Sequence, residues 1–290
     1  MNKVISFELD NFNEVYGVKF ANQTVEFFTE EEQKDFEQEL TVNKPKFKYF
    51  KNKDYKYYKE NPIEYSINNY GFRTPVNFKK GLEGNVFLGC SYTFGIGHYL
   101  ENVWSWKVNE HVGGNFLNLA VPGHGIMTAA RVLYAFKDML EYKNIFLHIP
   151  HHYRYTFYDP YEETWQSVSP HFDTLGGVEQ NQKIVLASDN NMILNYISAL
   201  ALIKEIGKQH NAKLFAIKEF RSTYKQKILN KWIKENRNAV PVVSRDFIHP
   251  SVPYMDIFSK HVIDAYEKDI QAYDKTYKDL ISYSTSLDLI

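Results

Sequence analysis

Residues 85–98, "NVFLGCSYTFGIGH", decide how the rest of the chain can be interpreted. Residues 86–89 form a continuous apolar run of the kind that parallel sheets bury on both faces. A small polar cluster, residues 90–93, follows at once, and two glycines, Gly95 and Gly97, come soon after it. We therefore predict a buried strand that ends in a tight turn and leaves polar side chains at the edge of a sheet.

Downstream of residue 83, apolar runs typical of strands alternate with segments of helical periodicity. Such strands pair in parallel through right-handed crossovers, with helices on both faces of the sheet. The sequence therefore predicts an α/β domain over 83–290, with three layers in α/β/α order around a central parallel sheet. The predicted strands lie at 85–89, 144–150, 212–220 and 239–244, and residues 116–123 predict a further strand followed by a turn. The predicted helices lie at 102–112, 126–140, 192–210, 225–236 and beyond 254.

Residues 1–82 have a different composition, polar, aromatic and rich in Lys, Asn and Glu. We interpret them as an N-terminal extension that covers a sheet edge of the main domain or forms an interface. Residues 27–40 predict a short helix with Thr29 as its N-cap. The basic, aromatic residues 44–60 favour a solvated edge strand or loop over an RNA-binding strip, because acidic segments adjoin them. Within the main domain, residues 155–188 predict an irregular insertion that contributes to specificity.

Composition excludes several classes of function. The 290 residues include 34 Lys and Arg against 35 Asp and Glu, so neither nucleic acid nor an anionic membrane is expected as a partner. One cysteine excludes an intrachain disulfide and a cysteine-based zinc site, and we expect no cofactor and no metal. Neither a secretory signal nor a run of about 20 apolar residues occurs, which predicts a cytoplasmic protein, with a virion location or an unmarked export route left open. The oligomeric state is also left open.

Polar residues follow the predicted strands at the carboxyl ends, where parallel sheets bind ligands. Together they offer what nucleophilic acyl transfer requires. His249 could take the proton of the Ser91 hydroxyl, and Asp246, three residues earlier, could orient its ring. The backbone N–H groups of Ser91 and Gly123 could bind the developing oxyanion. The clusters at the strand ends are Ser91, Gly123, His151 with His152, and Asp246 with His249.

Three of these segments carry a family resemblance. The stretches "GCSYTFG", "NLAVPG" and "DFIHP" resemble, in order and spacing, the conserved blocks of the SGNH (GDSL) hydrolases. "NNYGFRTP" is similar to a stretch that precedes the first block in many bacterial and phage members. The resemblance covers roughly residues 83–255 and implies a flavodoxin-like fold. It also implies a serine esterase that forms an acyl-serine intermediate, with the O-acetyl group of a carbohydrate as the expected substrate.

Two positions depart from the family pattern. Cys90 stands where the family has Asp, and we expect it to be a buried small residue. The third block, Gly-x-Asn in the family, reads Pro150-His151-His152, so His152 or Arg154 would have to replace the oxyanion Asn. The altered block keeps two alternatives open besides hydrolysis. They are O-acyl transfer to a sugar acceptor and a non-catalytic glycan-binding or structural module.

Three alternative interpretations of motifs in the same region are less well supported by the sequence. "GIGHYL" lacks the third glycine of a dinucleotide-binding loop, since Leu100 occupies that position. Thr93 likewise breaks the nucleophile elbow of α/β-hydrolases. Adjacent histidines on a strand point to opposite faces, so "HIPHHYRY" is a poor metal site, and His148 is expected in the core. Tyr92 and Tyr153 would flank Ser91, and we expect Tyr92 and Arg154 to contact the substrate.

Overall fold

The computed structural model describes most of the chain between residues 52 and 275. The described residues are 21–27, 52–150, 154–159, 164–168, 189–218, 249–275 and positions 227, 230–232, 234, 235, 241 and 244. Their helices and strands are β1 (Thr24–Glu26), α1 (Asn52–Glu60), β2 (Glu64–Ser66), β3 (Leu82–Leu88), α2 (Ser91–Phe94), a 3₁₀ turn (Leu100–Asn102), α3 (Trp104–Val112), β4 (Phe116–Asn118), α4 (Ile126–Phe136), β5 (Leu140–Ile149), β6 (Tyr155–Asp159), β7 (Thr164–Val168), α5 (Asp189–Gln209), β8 (Lys213–Lys218) and α6 (Val252–Glu267).

The centre of the fold is a four-stranded sheet with the order β4-β3-β5-β8. Every neighbouring pair of strands in it is parallel. The chain passes from β3 to β4 on one side and then crosses to β5 on the other, so the order reverses between β3 and β5. In open α/β sheets the crevice at such a reversal is the usual place for a ligand. The predicted α/β fold with a parallel sheet is therefore confirmed.

Helices cover both faces of this sheet. Successive strand residues point to opposite sides, so each strand contributes side chains to both faces. On one face, Val86 and Leu88 of β3 pack in a cluster with residues of α4 and α5. On the other, Phe87 packs with residues of α3 and α6. This second face carries a row of phenylalanines across all four strands. The ring centroids lie 5.1 Å apart for Phe116 and Phe87, 5.0 Å for Phe87 and Phe146, and 5.2 Å for Phe146 and Phe215.

The described part of the N-terminal extension packs on the main domain. β1 and β2 form an antiparallel pair, and Tyr65 and Ile67 share an apolar cluster with Phe94 and Ile96. The prediction of an edge strand or loop over 44–60 is wrong for 52–60, which form α1. Tyr58 of this helix is 2% exposed and stacks on Tyr99, so tertiary contact decides its conformation. The helix predicted over 27–40 lies almost wholly outside the described residues.

The remaining predicted elements differ from the structure in detail. The insertion expected to be irregular contains an antiparallel hairpin of β6 and β7, with Tyr155 opposite Val168. The helix predicted over 126–140 ends at Phe136, and β5 begins at Leu140. The strand predicted over 239–244 and residues 169–188 lie outside the described residues, apart from positions 241 and 244. Within the described ranges, no helix combines the length and the apolar character that a membrane span requires.

Candidate active site

Ser91 lies at the turn between β3 and α2, next to the point where the strand order reverses. Gly89 links the two elements with a φ of +153°, a value that side-chain-bearing residues rarely adopt. A Cβ added there would overlap Thr93 Oγ1 and lie 3.1 Å from the His148 carbonyl oxygen. The chain can therefore turn sharply only because residue 89 is a glycine. Ser91 itself is 6% exposed.

Helix α2 is a single turn that begins at Ser91. The N–H groups of Thr93 and Phe94 donate to the Cys90 carbonyl, and those of Gly95 and Ile96 donate to the Ser91 carbonyl at 2.9 and 3.1 Å. A helix leaves its first N–H groups without internal partners, so the Ser91 N–H has no acceptor within α2. Cys90 carries a free thiol and is 4% exposed, which confirms the prediction of a buried small residue.

Two hydrogen bonds join β4 and the segment after it to the Ser91 turn. The Asn118 amide donates to the Thr93 carbonyl at 3.3 Å and accepts from the Ala120 N–H at 3.2 Å. The Val121 N–H donates to the Gly89 carbonyl at 3.3 Å. Asn118 is fully buried, so its amide acts as an internal brace between the two segments.

Gly123 lies in the exposed turn that follows this brace. Its φ is +83°, and a Cβ added to it would meet no atom within 4 Å. The His124 N–H closes the turn on the Val121 carbonyl at 3.3 Å. A side chain at residue 123 would therefore meet no steric obstacle, and the positive φ is what favours glycine there.

Two arginines lie within electrostatic reach of this turn. Arg154 Nη1 donates to the His124 carbonyl at 3.4 Å, so the predicted Arg154 lies beside Gly123. His124 Nδ1 is 2.9 Å from the Pro122 carbonyl and must carry a proton, because a carbonyl can only accept. Burial lowers the pKa of His124; the hydrogen bond to the Pro122 carbonyl partly opposes this shift, and the positive charges of Arg131 and Arg154 add to it. The positive charges of Arg131 and Arg154 therefore lie near this turn.

His249 lies next to the Ser91 turn, although the two are far apart in the chain. The ring centroids of His249 and Tyr92 are 5.9 Å apart, with the planes at 75°. Ser244 Oγ donates to the His249 carbonyl at 3.0 Å. Tyr92 is half-buried and also contacts Tyr254, at a centroid distance of 6.3 Å. The structure therefore brings together Tyr92, which is covalently next to Ser91, and the predicted base.

Not every predicted site residue can be placed. Asp246, His152 and Tyr153 lie outside the described residues. His148 is 1% exposed, and its ring lies 5.6 Å from that of Tyr92 and 5.2 Å from that of Phe258. This confirms the prediction that His148 belongs to the core.

Three residues that brace the site did not emerge from the sequence: Arg73, His98 and Asn118. Arg73 belongs to "NNYGFRTP", which resembles a stretch upstream of the first family block, but the sequence assigned no function to this stretch. Asn118 begins "NLAVPG", so Arg73 and Asn118 lie in motifs that carry the resemblance, whereas His98 lies three residues beyond "GCSYTFG". What the motifs did not reveal is which carbonyl each side chain contacts, since that depends on the packing.

Comparison with known proteins adds no relative. No family model matches the chain, no curated protein matches it, and no solved structure matches it. The interpretation of this rim of the sheet therefore depends on its own residues and geometry.

Proposed function

We propose that this chain is a serine esterase of the SGNH type. Ser91 is the nucleophile, His249 the general base and acid, and Asp246 the residue that orients the His249 ring. The N–H groups of Ser91 and Gly123 bind the oxyanion, together with His152 or Arg154. The substrate is a short acyl ester, an O-acetyl group on a carbohydrate.

The observation that supports this proposal most is the contact between the rings of Tyr92 and His249. It joins the segment that carries the hydroxyl to the segment that carries the imidazole, at the carboxyl end of the sheet. A serine is a weak nucleophile until a neighbouring base removes its proton, so this proximity is the first requirement of the chemistry. The exposed position of Gly123 in its turn leaves room for a substrate beside it, which supports the oxyanion assignment.

The reaction proceeds in two halves with these groups. Ser91 Oγ attacks the ester carbonyl while His249 accepts the hydroxyl proton, and negative charge develops on the carbonyl oxygen. His249 then donates that proton to the departing alcohol, which leaves an acyl-serine. A water molecule, deprotonated by His249, attacks the acyl carbon, and the proton returns to Ser91 Oγ as the acid is released.

Substrate contacts follow from the surroundings of the rim. Tyr92 presents a half-buried ring beside Ser91, and aromatic rings stack on the apolar faces of sugars. Arg154 beside Gly123 supplies a cation for a polar or anionic group of the substrate. The carbohydrate itself comes only from the family resemblance.

A fluorophosphonate probe and para-nitrophenyl acetate test the proposal directly. We expect wild type to react covalently at residue 91 and to hydrolyse the ester. Ser91→Ala and His249→Ala should each lower the rate by at least about a thousandfold, because these residues act as one unit. The matched controls are Ser198→Ala, at an exposed position of α5, and His111→Gln, in the last turn of α3.

Three outcomes separate the possibilities. Equal rates for wild type and Ser91→Ala would contradict the nucleophile assignment. Hydrolysis that gives way to a new ester when a sugar acceptor is added would favour acyl transfer. A folded wild-type protein that neither reacts with the probe nor hydrolyses the ester would leave the non-catalytic glycan-binding module.

A further inference from the structure

The segment that follows Ser91 is held by one buried arginine of the N-terminal extension. Arg73 Nη1 donates to the Phe94 carbonyl at 3.2 Å and to the Gly95 carbonyl at 2.6 Å. Its Nη2 donates to the His98 carbonyl at 2.8 Å. The last carbonyls of a helix have no partner inside it, so the guanidinium completes the short helix α2. A planar fork of donors suits this task better than a point charge.

Arg73 is buried and makes further contacts that fix the position of its guanidinium. The side chain is 1% exposed, and the negative charge of Glu101 lies within electrostatic range of it. Its Cζ lies 3.9 Å from the centroid of the Tyr65 ring, which provides a cation–π contact. Burial lowers the pKa of Arg73 to about 10, and this still leaves the group charged at neutral pH. The same Tyr65 accepts the Gly97 N–H through its hydroxyl at 2.8 Å.

His98, whose carbonyl Arg73 holds, reaches from this loop to the His249 segment. The side chain is fully buried, and Nε2 lies 2.8 Å from the carbonyl oxygen of Pro250. Because a carbonyl can only accept, Nε2 carries a proton and donates it. Pro250 directly follows His249, so the bond is made one residue from the proposed base.

The backbone of His249 has little freedom left once this bond is made. A residue before proline is largely restricted to extended conformations, which limits its ψ. Ser244 Oγ holds the carbonyl of His249, and His98 holds the carbonyl of Pro250. Two consecutive carbonyls are thus anchored by side chains, one of which comes from the Ser91 loop. The direction of the His249 side chain is thereby tied to the position of α2.

We propose that His98 is a positioning residue: it couples the helix that carries Ser91 to the segment that carries His249, and Arg73 holds His98 in place. The catalytic meaning of this inference rests on the proposed function, whereas the hydrogen bond between His98 and Pro250 is independent of it. A displacement of about 1 Å in a catalytic group can lower a rate a hundredfold, so the link would affect the chemical step more than substrate binding.

The test compares His98→Leu with His98→Gln in the full chain. Glutamine extends its amide N–H about as far as Nε2 of histidine and can still donate to Pro250, whereas leucine cannot. We expect His98→Leu to lower kcat for para-nitrophenyl acetate and the labelling rate at Ser91 by at least about tenfold, with KM unchanged. His98→Gln should stay within a few-fold of wild type. If His98→Leu does not fold, His98→Asn replaces it, because the shorter amide does not reach Pro250.

Nuclear magnetic resonance gives a second readout that needs no activity. In protein with ¹⁵N-labelled histidine, the ring signals of His249, assigned with His249→Ala, should shift in His98→Leu and remain in place in His98→Gln. Unchanged His249 signals in folded His98→Leu would overturn the inference. If wild type does not react with the probe but the His249 signals shift in His98→Leu, the esterase proposal fails and the positional link stands.

Discussion

At the scale of single residues, the candidate site depends on positions where a side chain has to be absent. Gly89 is the sharpest case, because its backbone conformation and its contact with Thr93 both exclude a Cβ. Gly81, at the other end of β3, also has a positive φ, +74°, but a Cβ there would meet no atom within 4 Å. A side chain at Gly81 would therefore cause backbone strain alone, whereas one at Gly89 would cause both backbone strain and steric overlap.

This difference predicts unequal costs for two alanine substitutions. Gly81→Ala should lower the free energy of unfolding by about 1–2 kcal/mol, the usual cost of a left-handed non-glycine residue. Gly89→Ala should cost more, since overlap with Thr93 adds to a backbone strain of about 1–3 kcal/mol. Urea unfolding of both variants measures the difference. Equal stabilities for the two variants would contradict the view that Thr93 closes tightly on the turn.

At the scale of elements, the long buried strands could be predicted and the marginal elements could not. Residues 86–88 and 145–147 are continuous apolar runs, and their helices have clear apolar periodicity, so the parallel sheet followed from pattern alone. Helix α1 was missed because its inward side is made by tyrosines, which alternate with charges. The hairpin of β6 and β7 was missed because antiparallel strands alternate in polarity and contain no apolar run.

The candidate site was predictable to the same degree. Residues at strand ends could be proposed from the sequence, because parallel strands place their carboxyl ends along one edge. The bracing contacts of Arg73, His98 and Asn118 could not be proposed in this way. Each is a side chain that bonds a backbone carbonyl far away in the chain, and no local pattern specifies that carbonyl.

Helix α2 illustrates this dependence, since a single turn is not stable by itself. Replacing Arg73 with Met leaves the carbonyls of Phe94, Gly95 and His98 without their donor, and we expect a loss of about 2–3 kcal/mol in unfolding free energy. Arg73→Lys keeps the charge but not the fork, so it should lose nearly as much. Thermal and urea unfolding check this. If Arg73→Lys were as stable as wild type, the positive charge, and not the forked geometry of the guanidinium, would be what stabilises the helix.

At the scale of the whole molecule, the described residues are arranged around one four-stranded parallel sheet, with an apolar cluster on each face and a third cluster under the extension. The third cluster joins Tyr58 and Tyr65 of the extension to Phe94 and Ile96 of the Ser91 loop. Arg73 crosses the same boundary through its bonds to Phe94 and Gly95. The extension therefore contributes to the folding of the candidate site, and its removal should affect the turn that carries Ser91.

Two histidines on different parts of the molecule should make its stability sensitive to acid. Burial lowers the pKa of His124 beside the Gly123 turn, and burial lowers the pKa of His261 in α6, where Asp264 partly opposes the shift. Below about pH 6.5 the unfolded chain therefore binds protons that the folded protein excludes, and stability falls as the pH falls. The free energy of unfolding in urea, measured at pH 7.5 and 5.5, should decrease less in His124→Gln/His261→Gln than in wild type. Carboxylates titrate in both proteins and cancel in the comparison, so an equal or larger decrease in the double variant would contradict the assignment.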